Sequence, residues 1–461
     1  DYYTTITLFA LIGTLIFRIL LEYLIGDSGI TYFSVANEIY LVVAGTVSYG
    51  LSEAVAMLVR YRVRREQFKN AQKVLNSALL FGGVVGLIFS VCFVFGGNII
   101  AERVMHIPLA GLSLSLMAPA MFFFILTGVF RGYFQGNGSR IPSMHSHILH
   151  TVFVFAGGII GTTLLRGYGL KVSALLQNDD CASAYGAMGA SIGILTASVF
   201  CFLHVLILYL IYRRSIKRQM SRELQKNQDT RFHIFHMLIG TGGVYSALWI
   251  CLYSTSLMDQ YLYFNFSSEK EGLITNWGAY YGKCLSIIGI ICAIICIFCL
   301  MPIRRIMLLI EREEHRVARE KLGILFHQCA LITIPTAVFL AVLSENMLDA
   351  LFAGSQKYAV AWMQIGSVMI VPCVFASVFV EILLKSRRIK YVVGIGIIAL
   401  LLHTGLLILL LKTTQLGITA VFLSGIAFYV VIMVCGFFLI RRSFQYTQEW
   451  MKRFVVTILS S

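Results

Sequence analysis

The sequence predicts an all-α polytopic membrane protein, on three observations. Hydrophobic residues fill 58% of the 461 positions and charged residues only 13%, for a mean hydropathy of +0.81; a soluble chain carries about twice that charge fraction. Apolar runs of 20 residues or more recur along the whole length, each enough to cross ~30 Å of hydrocarbon as a helix. Basic residues are unevenly spread: 29 of the 37 Lys and Arg fall in alternate connections between those runs.

Taken in order, the runs give twelve spans, near 3–25, 32–58, 74–97, 111–130, 143–166, 184–212, 233–261, 275–302, 324–345, 359–384, 391–411 and 417–440. The first is expected to be a true span: it is too long for a signal peptide, lacks a basic leader and has no small-residue cleavage site before Asp27. The chain starts at Asp1 without Met, so the expectation is a start trimmed from a longer protein. The basic connections are 59–73, 131–142, 213–232, 303–323, 385–390 and 441–461, and those opposite are short or acidic, such as Gly26–Gly29 and Asn178–Asp180. The positive-inside rule then puts both termini in the cytoplasm of a multi-pass protein of the cytoplasmic (inner or plasma) membrane. Sequence order divides the chain into an N-terminal six-helix lobe (1–212), a basic cytoplasmic linker (213–232), a C-terminal six-helix lobe (233–440) and a basic cytoplasmic tail (441–461).

The net charge of +15 does not indicate nucleic acid, because it sits on loops beside membrane ends and not on a folded basic surface. It serves topology and contact with anionic lipid head groups. Segments 213–232 and 304–323 have helical composition and are expected along the inner membrane surface. Of eleven cysteines, ten fall inside spans and Cys181 in an external loop, which gives no disulfide framework. Cys292, Cys296 and Cys299 share one helical face, but no His or carboxylate completes a ligand set, so no metal is expected. Trp277 and Trp362 fall near outer span ends, where interfacial anchors sit. No Gly-rich phosphate loop with a Lys, Ser-His-Asp set or paired-carboxylate set can be assembled. The chain is therefore expected to be no enzyme and to use no cofactor. Any transport must run on an ion gradient, a membrane potential or a substrate gradient.

Charges inside the spans carry the mechanistic signal, since one near the bilayer centre costs at least ~2.5–3.5 kcal/mol and normally faces a wet cavity or a partner. Arg18 and Glu22 stand four apart on the first span, Glu38 lies early in the second, Asp259 late in the seventh and Lys283 in the eighth. All five fall in the outer half of the membrane, and Glu53 lies deeper on the same route. Two readings stay open. In one, Arg18 and Lys283 form a cationic site for a phosphate or pyrophosphate head group, with Glu22, Glu38 and Asp259 tuning it or coupling to ions. In the other, Arg18–Glu22 is a local ion pair and the rest snorkel to the interface. The fifth span carries His145, His147 and His150. His147 and His150 suit H⁺ coupling by their ordinary titration range, or serve as hydrogen-bonding glue between helices.

Two hairpins share an outline. Leu126–Phe155 runs from an apolar helix through Arg131-Gly132-Tyr133-Phe134-Gln135-Gly136 and a polar turn into a second helix after Pro142. Val380–Leu411 repeats it around Lys385–Lys390, and the second helices share the tripeptides Leu149-His150-Thr151 and Leu402-His403-Thr404. A duplicated architecture is the expectation.

The segment Arg131–Gly136, followed by Pro142 and Ser146, resembles the multidrug/oligosaccharidyl-lipid/polysaccharide (MOP) exporter superfamily, in particular its polysaccharide-flippase and stage V sporulation protein B branch. Weaker likenesses are Arg18-Ile19-Leu20, Asp259-Gln260, Gly278–Gly282 and the Gly/Ala-rich stretch Gly186–Gly193. The branch commonly has fourteen spans, so a final pair is absent here or lies beyond the tail. His147, His150-Thr151 and Val154 replace the Gln, Glu-Gln and Arg usual in its fifth span. The resemblance implies a MATE-like fold of two six-helix lobes in a V, working by alternating access. It marks Arg131, Gly132, Gln135 and Gly136 as the family motif. The implied cargo is an amphipathic anionic lipid-linked saccharide, whose charged head travels through a central cleft lined by the first two spans of each lobe, with H⁺ or Na⁺ as candidate coupling ions. A cation-coupled multidrug exporter, and a non-transporting scaffold among envelope-synthesis proteins, are the alternatives.

Overall fold

The computed structural model describes residues 2–221, 223, 229–267, 272–352 and 357–444, and among these every regular element is helical. Residues 222 and 224–228 of the basic linker, and 445–461 of the tail, lie outside that description. Helix is the form the composition demands, because a chain crossing lipid must satisfy its backbone hydrogen bonds within each segment.

In chain order the helices are α1 (Tyr2–Tyr40), α2 (Thr46–Val63), α3 (Phe68–Arg103), α4 (Ala110–Gly136), α5 (Ile141–Leu176), α6 (Asp180–Ser221), α7 (Arg231–Phe266) and α8 (Leu273–Gly278). There follow α9 (Leu285–Leu300), α10 (Ile303–Glu311), α11 (His315–Val342), α12 (Ser344–Leu351), α13 (Lys357–Ser367), α14 (Ile370–Lys385), α15 (Ile389–Thr413) and α16 (Ile418–Phe444). Ten helical stretches are long and apolar enough to cross a membrane. The first, Thr4–Val63, has 60 residues, about 90 Å at 1.5 Å per residue. That is too long for one crossing, and Gly26 breaks it with φ 67°, ψ −179°, a backbone open to glycine. With that stretch counted twice, and α13 and α14 joined as one span bent by 40°, the described residues hold the twelve spans expected.

Two segments widen into π-helix, Leu41–Gly45 between α1 and α2 and Ala279–Cys284 between α8 and α9. The last π residue precedes the basic turn by 19 residues in the first case (to Arg64) and 20 in the second (to Arg304). Such bulges gather at functional sites; the second contains Lys283.

Two compact units emerge, Asp1–Leu257 and Met258–Ser461. The division falls inside α7, not at the linker suggested by sequence order. The reason is local: the first part of α7 packs on α2, with the Trp249 ring 4.8 Å from that of Tyr49 and Ser246 Oγ donating to the Thr46 carbonyl at 3.3 Å. The linker's last residues are tied to the same unit, where Arg62 pairs with Asp229 at 2.8 Å and Lys73 Nζ donates to the Asp229 carbonyl at 3.0 Å.

Both units are built inside out relative to a soluble protein. Large apolar side chains such as Phe95, Leu80, Leu164 and Leu401 face outward, where lipid solvates them. Small residues line the contacts and let backbones approach. The Gly186–Gly193 stretch does this between α5 and α6: a Cβ on Gly189 would stand 2.3 Å from the Gly161 carbonyl oxygen. Three expectations are corrected here. Trp277 and Trp362 are buried, not interfacial, because Trp277 packs its ring against Tyr263 and Tyr280 at 5.5 and 5.1 Å. Cys181 is likewise buried, in the first turn of α6 and not in a loop. Glu38 and Asp259 are buried too, at 5% and 7% exposure, so neither snorkels.

Candidate functional site

The motif at the end of α4 divides one stretch of helix among three neighbours. Gly128, Gly132 and Gly136 recur every fourth residue and so form one ridge. A Cβ on Gly132 would stand 2.3 Å from the Ser52 carbonyl oxygen, one on Gly128 2.3 Å from Ser48 Oγ, and one on Gly136 2.6 Å from Val59 Cβ. Only glycine lets α2 lie this close. Tyr133 turns to α3, donating to Gln72 Oε1 at 3.2 Å. Arg131 and Gln135 turn to α5.

The turn that follows closes the helix chemically. Asn137 Nδ2 donates to the Tyr133 carbonyl at 2.8 Å, the Ser139 N–H reaches the Phe134 carbonyl at 3.0 Å, and Gly138 takes φ +93°. These satisfy the carbonyls a helix end leaves open. Pro142, in the first turn of α5, costs nothing there because that N–H has no helical partner.

Arg131 is thereby carried inside, at 4% exposure. Its Nε donates to Ser146 Oγ at 2.7 Å, and that hydroxyl donates onward to the Ser143 carbonyl at 2.7 Å. Among the described residues Arg131 has no acidic partner. One turn nearer the basic loop, Gln135 Nε2 donates to Ser143 Oγ at 3.1 Å. Gln135 and Ser143 line a cavity of about 330 Å³ with Thr7, Glu53, Arg140 and His147. Deeper along α5, the His150 ring lies 6.2 Å from that of Phe124, and its buried Nε2 has no hydrogen-bond partner.

The sequence-predicted residues thus divide. Glu53, His147 and Gln135 meet at one cavity, with Arg131 and His150 in the same unit. Arg18 is half-buried and Glu22 buried on α1, with Glu38 one turn before the first π segment. Lys283 and Asp259 belong to the second unit. Lys283 is 3% exposed, in a π segment whose six residues are all buried. Asp259 Oδ1 lies 2.9 Å from His403 Nε2, both side chains being buried. Sequence reading noted His403 only as a match for His150; no spacing on α15 could reveal a partner on α7. Arg140 and Thr7 were also missed. An arginine in a turn and a threonine near a chain start look like ordinary surface until the cavity joins them.

Residues 5–160 match the MatE family model. Stage V sporulation protein B of Bacillus subtilis (strain 168) is 22% identical over 228 residues, 49% of this chain and 41% of that relative; the match spans about two fifths of the relative's length. An inward-facing multidrug resistance MATE family transporter of the MOP superfamily superposes with a TM-score of 0.73 at 12% identity, covering 96% of this chain and 98% of that one. A MOP superfamily transporter from Pyrococcus furiosus, described by the reverse polarity of its binding pocket, gives 0.57 at 12% identity over 95% and 96%. The fold is therefore the MATE fold, and residues 5–160 carry the likeness to the MatE family.

Proposed function

We propose that this protein is an alternating-access transporter that moves an amphipathic, anionic lipid-linked saccharide from the inner to the outer leaflet of the cytoplasmic membrane, with both termini cytoplasmic. The observation that carries this reading is Arg131: a buried guanidinium with no acidic partner among the described residues, bonded through Ser146 to Ser143, which lines a cavity with hydroxyl, amide, imidazole and guanidinium groups and the Glu53 carboxylate. A cation held in low dielectric without a carboxylate favours an anion strongly. Arg18 and Lys283 are assigned further contacts with the charged head, and Glu22, Glu38 and Asp259 its tuning. Glu53, His147 and His150 are assigned to H⁺ or Na⁺ coupling. The sporulation-protein likeness supports this cargo class.

The runner-up is a cation-coupled multidrug exporter, favoured by the MatE match and by the multidrug transporters that share the fold. Fold likeness at 12% identity does not choose a cargo. A non-transporting scaffold is the third reading.

The test is cargo movement in proteoliposomes. Arg131→Ala is expected to lower the flipping of a fluorescent lipid-linked saccharide by at least about 30-fold, the loss of roughly 2–5 kcal/mol that follows removal of one partner of a buried charged contact. Arg131→Lys should not restore it. Arg18→Ala and Lys283→Ala should each abolish movement while leaving expression and folding intact. Saccharide movement that survives all three substitutions, together with export of a cationic dye, would favour the multidrug reading.

A further inference from the structure

The second unit holds a site that the transport reading does not use. α10 is short and two-faced: Ile303, Ile306 and Met307 are buried while Arg304, Arg305 and Leu308 are exposed. Between it and the start of α11 opens a cavity of about 560 Å³. Its floor is apolar, from Leu308, Leu309, Ile324 and Leu325, and its rim carries three cations, Arg305, Arg312 and Lys321. None of the three has an acidic partner among the described residues, although Glu311, Glu313, Glu314 and Glu320 belong to the same stretch.

A second groove, of about 270 Å³, continues the first and shares Leu325 and Gln328 with it. It is lined by Phe298 and Cys299 of α9 and by Leu331 and Ile332 of α11, and Phe298, Leu331 and Ile332 are open to the outside. Lys321 and Ile332 are eleven residues apart on α11, about 16 Å along a helix, close to the ~15 Å depth of one leaflet's hydrocarbon. A cationic mouth over an apolar slot of leaflet depth, at the end of the spans where basic loops gather, matches one amphiphile in both charge and length.

We infer that this groove binds an anionic phospholipid of the basic-loop leaflet, with the phosphate on Arg305, Arg312 and Lys321 and an acyl chain between α9 and α11. Each cation near a membrane surface contributes roughly five-fold in affinity for an anionic lipid, so the three together set selectivity over a zwitterionic lipid.

The test uses the full chain, delipidated in detergent. Native mass spectrometry and thermal melting are followed with phosphatidylglycerol, phosphatidylcholine or inorganic phosphate added. Expected is retention of one phosphatidylglycerol at least ten-fold above phosphatidylcholine, with a higher melting temperature and no protection from inorganic phosphate. Arg305→Ala/Arg312→Ala/Lys321→Ala should remove that preference, and Leu331→Trp, which fills the slot, should weaken retention with the cations intact. Arg213→Ala/Arg214→Ala, on the basic end of α6, should leave it unchanged. Equal retention of phosphatidylcholine, equal protection by phosphate alone, or an equal loss in the α6 variant would each overturn the site. If the triple variant does not fold, Arg312→Ala and Lys321→Ala read singly decide it, and wild-type retention in both refutes the assignment.

Discussion

The two units place the same tripeptide in the same kind of hairpin and give its histidine opposite surroundings. In Leu149-His150-Thr151 the α5 helix meets α1 at Gly13, where an added Cβ would stand 2.7 Å from Thr151. That contact is made by the Thr151 methyl group and carries no carboxylate. In Leu402-His403-Thr404, α15 faces α7 at Asp259, and His403 Nε2 stands 2.9 Å from its carboxylate. An imidazole has no role of its own in a membrane interior; the group across the helix contact assigns one. Asp259 makes His403 half of a buried pair. Near His150 the buried charge is the cation Arg131, where near His403 it is the anion Asp259.

Breaking the paired side should cost most. His403→Ala leaves Asp259 buried without its partner, a loss of about 3–5 kcal/mol, seen as a large fall in melting temperature in detergent. Asp259→Asn/His403→Gln, which keeps two polar groups without charge, should recover most of it. His150→Ala should cost about 1 kcal/mol or less, because it removes no partnered bond. Equal losses at the two histidines would mean that the tripeptides share one role after all.

Glycine contrasts sharpen the same comparison at smaller cost. On α4, Gly132→Ala forces a methyl group to within 2.3 Å of the Ser52 carbonyl oxygen. A rigid backbone atom cannot rotate away, so α2 and α4 must separate. Overpacking of this kind costs about 1–3 kcal/mol, and it should also weaken transport by displacing Arg131, one residue earlier on the same turn. Thermal melting of Gly132→Ala beside wild type checks the first, and the flipping rate the second.

The spans, their number and the basic alternation were legible because each rests on a run of residues whose signal adds along the chain. The motif Arg131–Gly136 was legible as a string, but its division of labour was not: that Gly132 faces α2 while Arg131 faces α5 depends on which helices stand around α4. Gly128 extends the ridge by one turn and was overlooked, since a lone glycine in an apolar helix looks like any other. Burial of Asp259 and Trp277 was misjudged for a shared reason. Distance from a span end measures depth in the membrane, not whether a side chain faces lipid or protein. The π segments left no mark in the sequence at all, because one added residue in a helix changes neither composition nor hydropathy.

The smallest effect is expected at Gly405, two residues beyond His403. No atom would lie within 4 Å of a Cβ there, and the residue is exposed. Its tripeptide-matched position in the first unit is Val152, itself 44% exposed, so the site already tolerates a branched side chain in the other half. Gly405→Ala removes backbone freedom from the unfolded helix and adds no clash. Stability should rise by up to about 1 kcal/mol, with transport unchanged. A loss of stability at Gly405 would instead mean that this face of α15 is covered by something larger than lipid, a second copy or another protein. The exposed row Leu401, Leu402 and Leu409 would then be the surface on which to look for it.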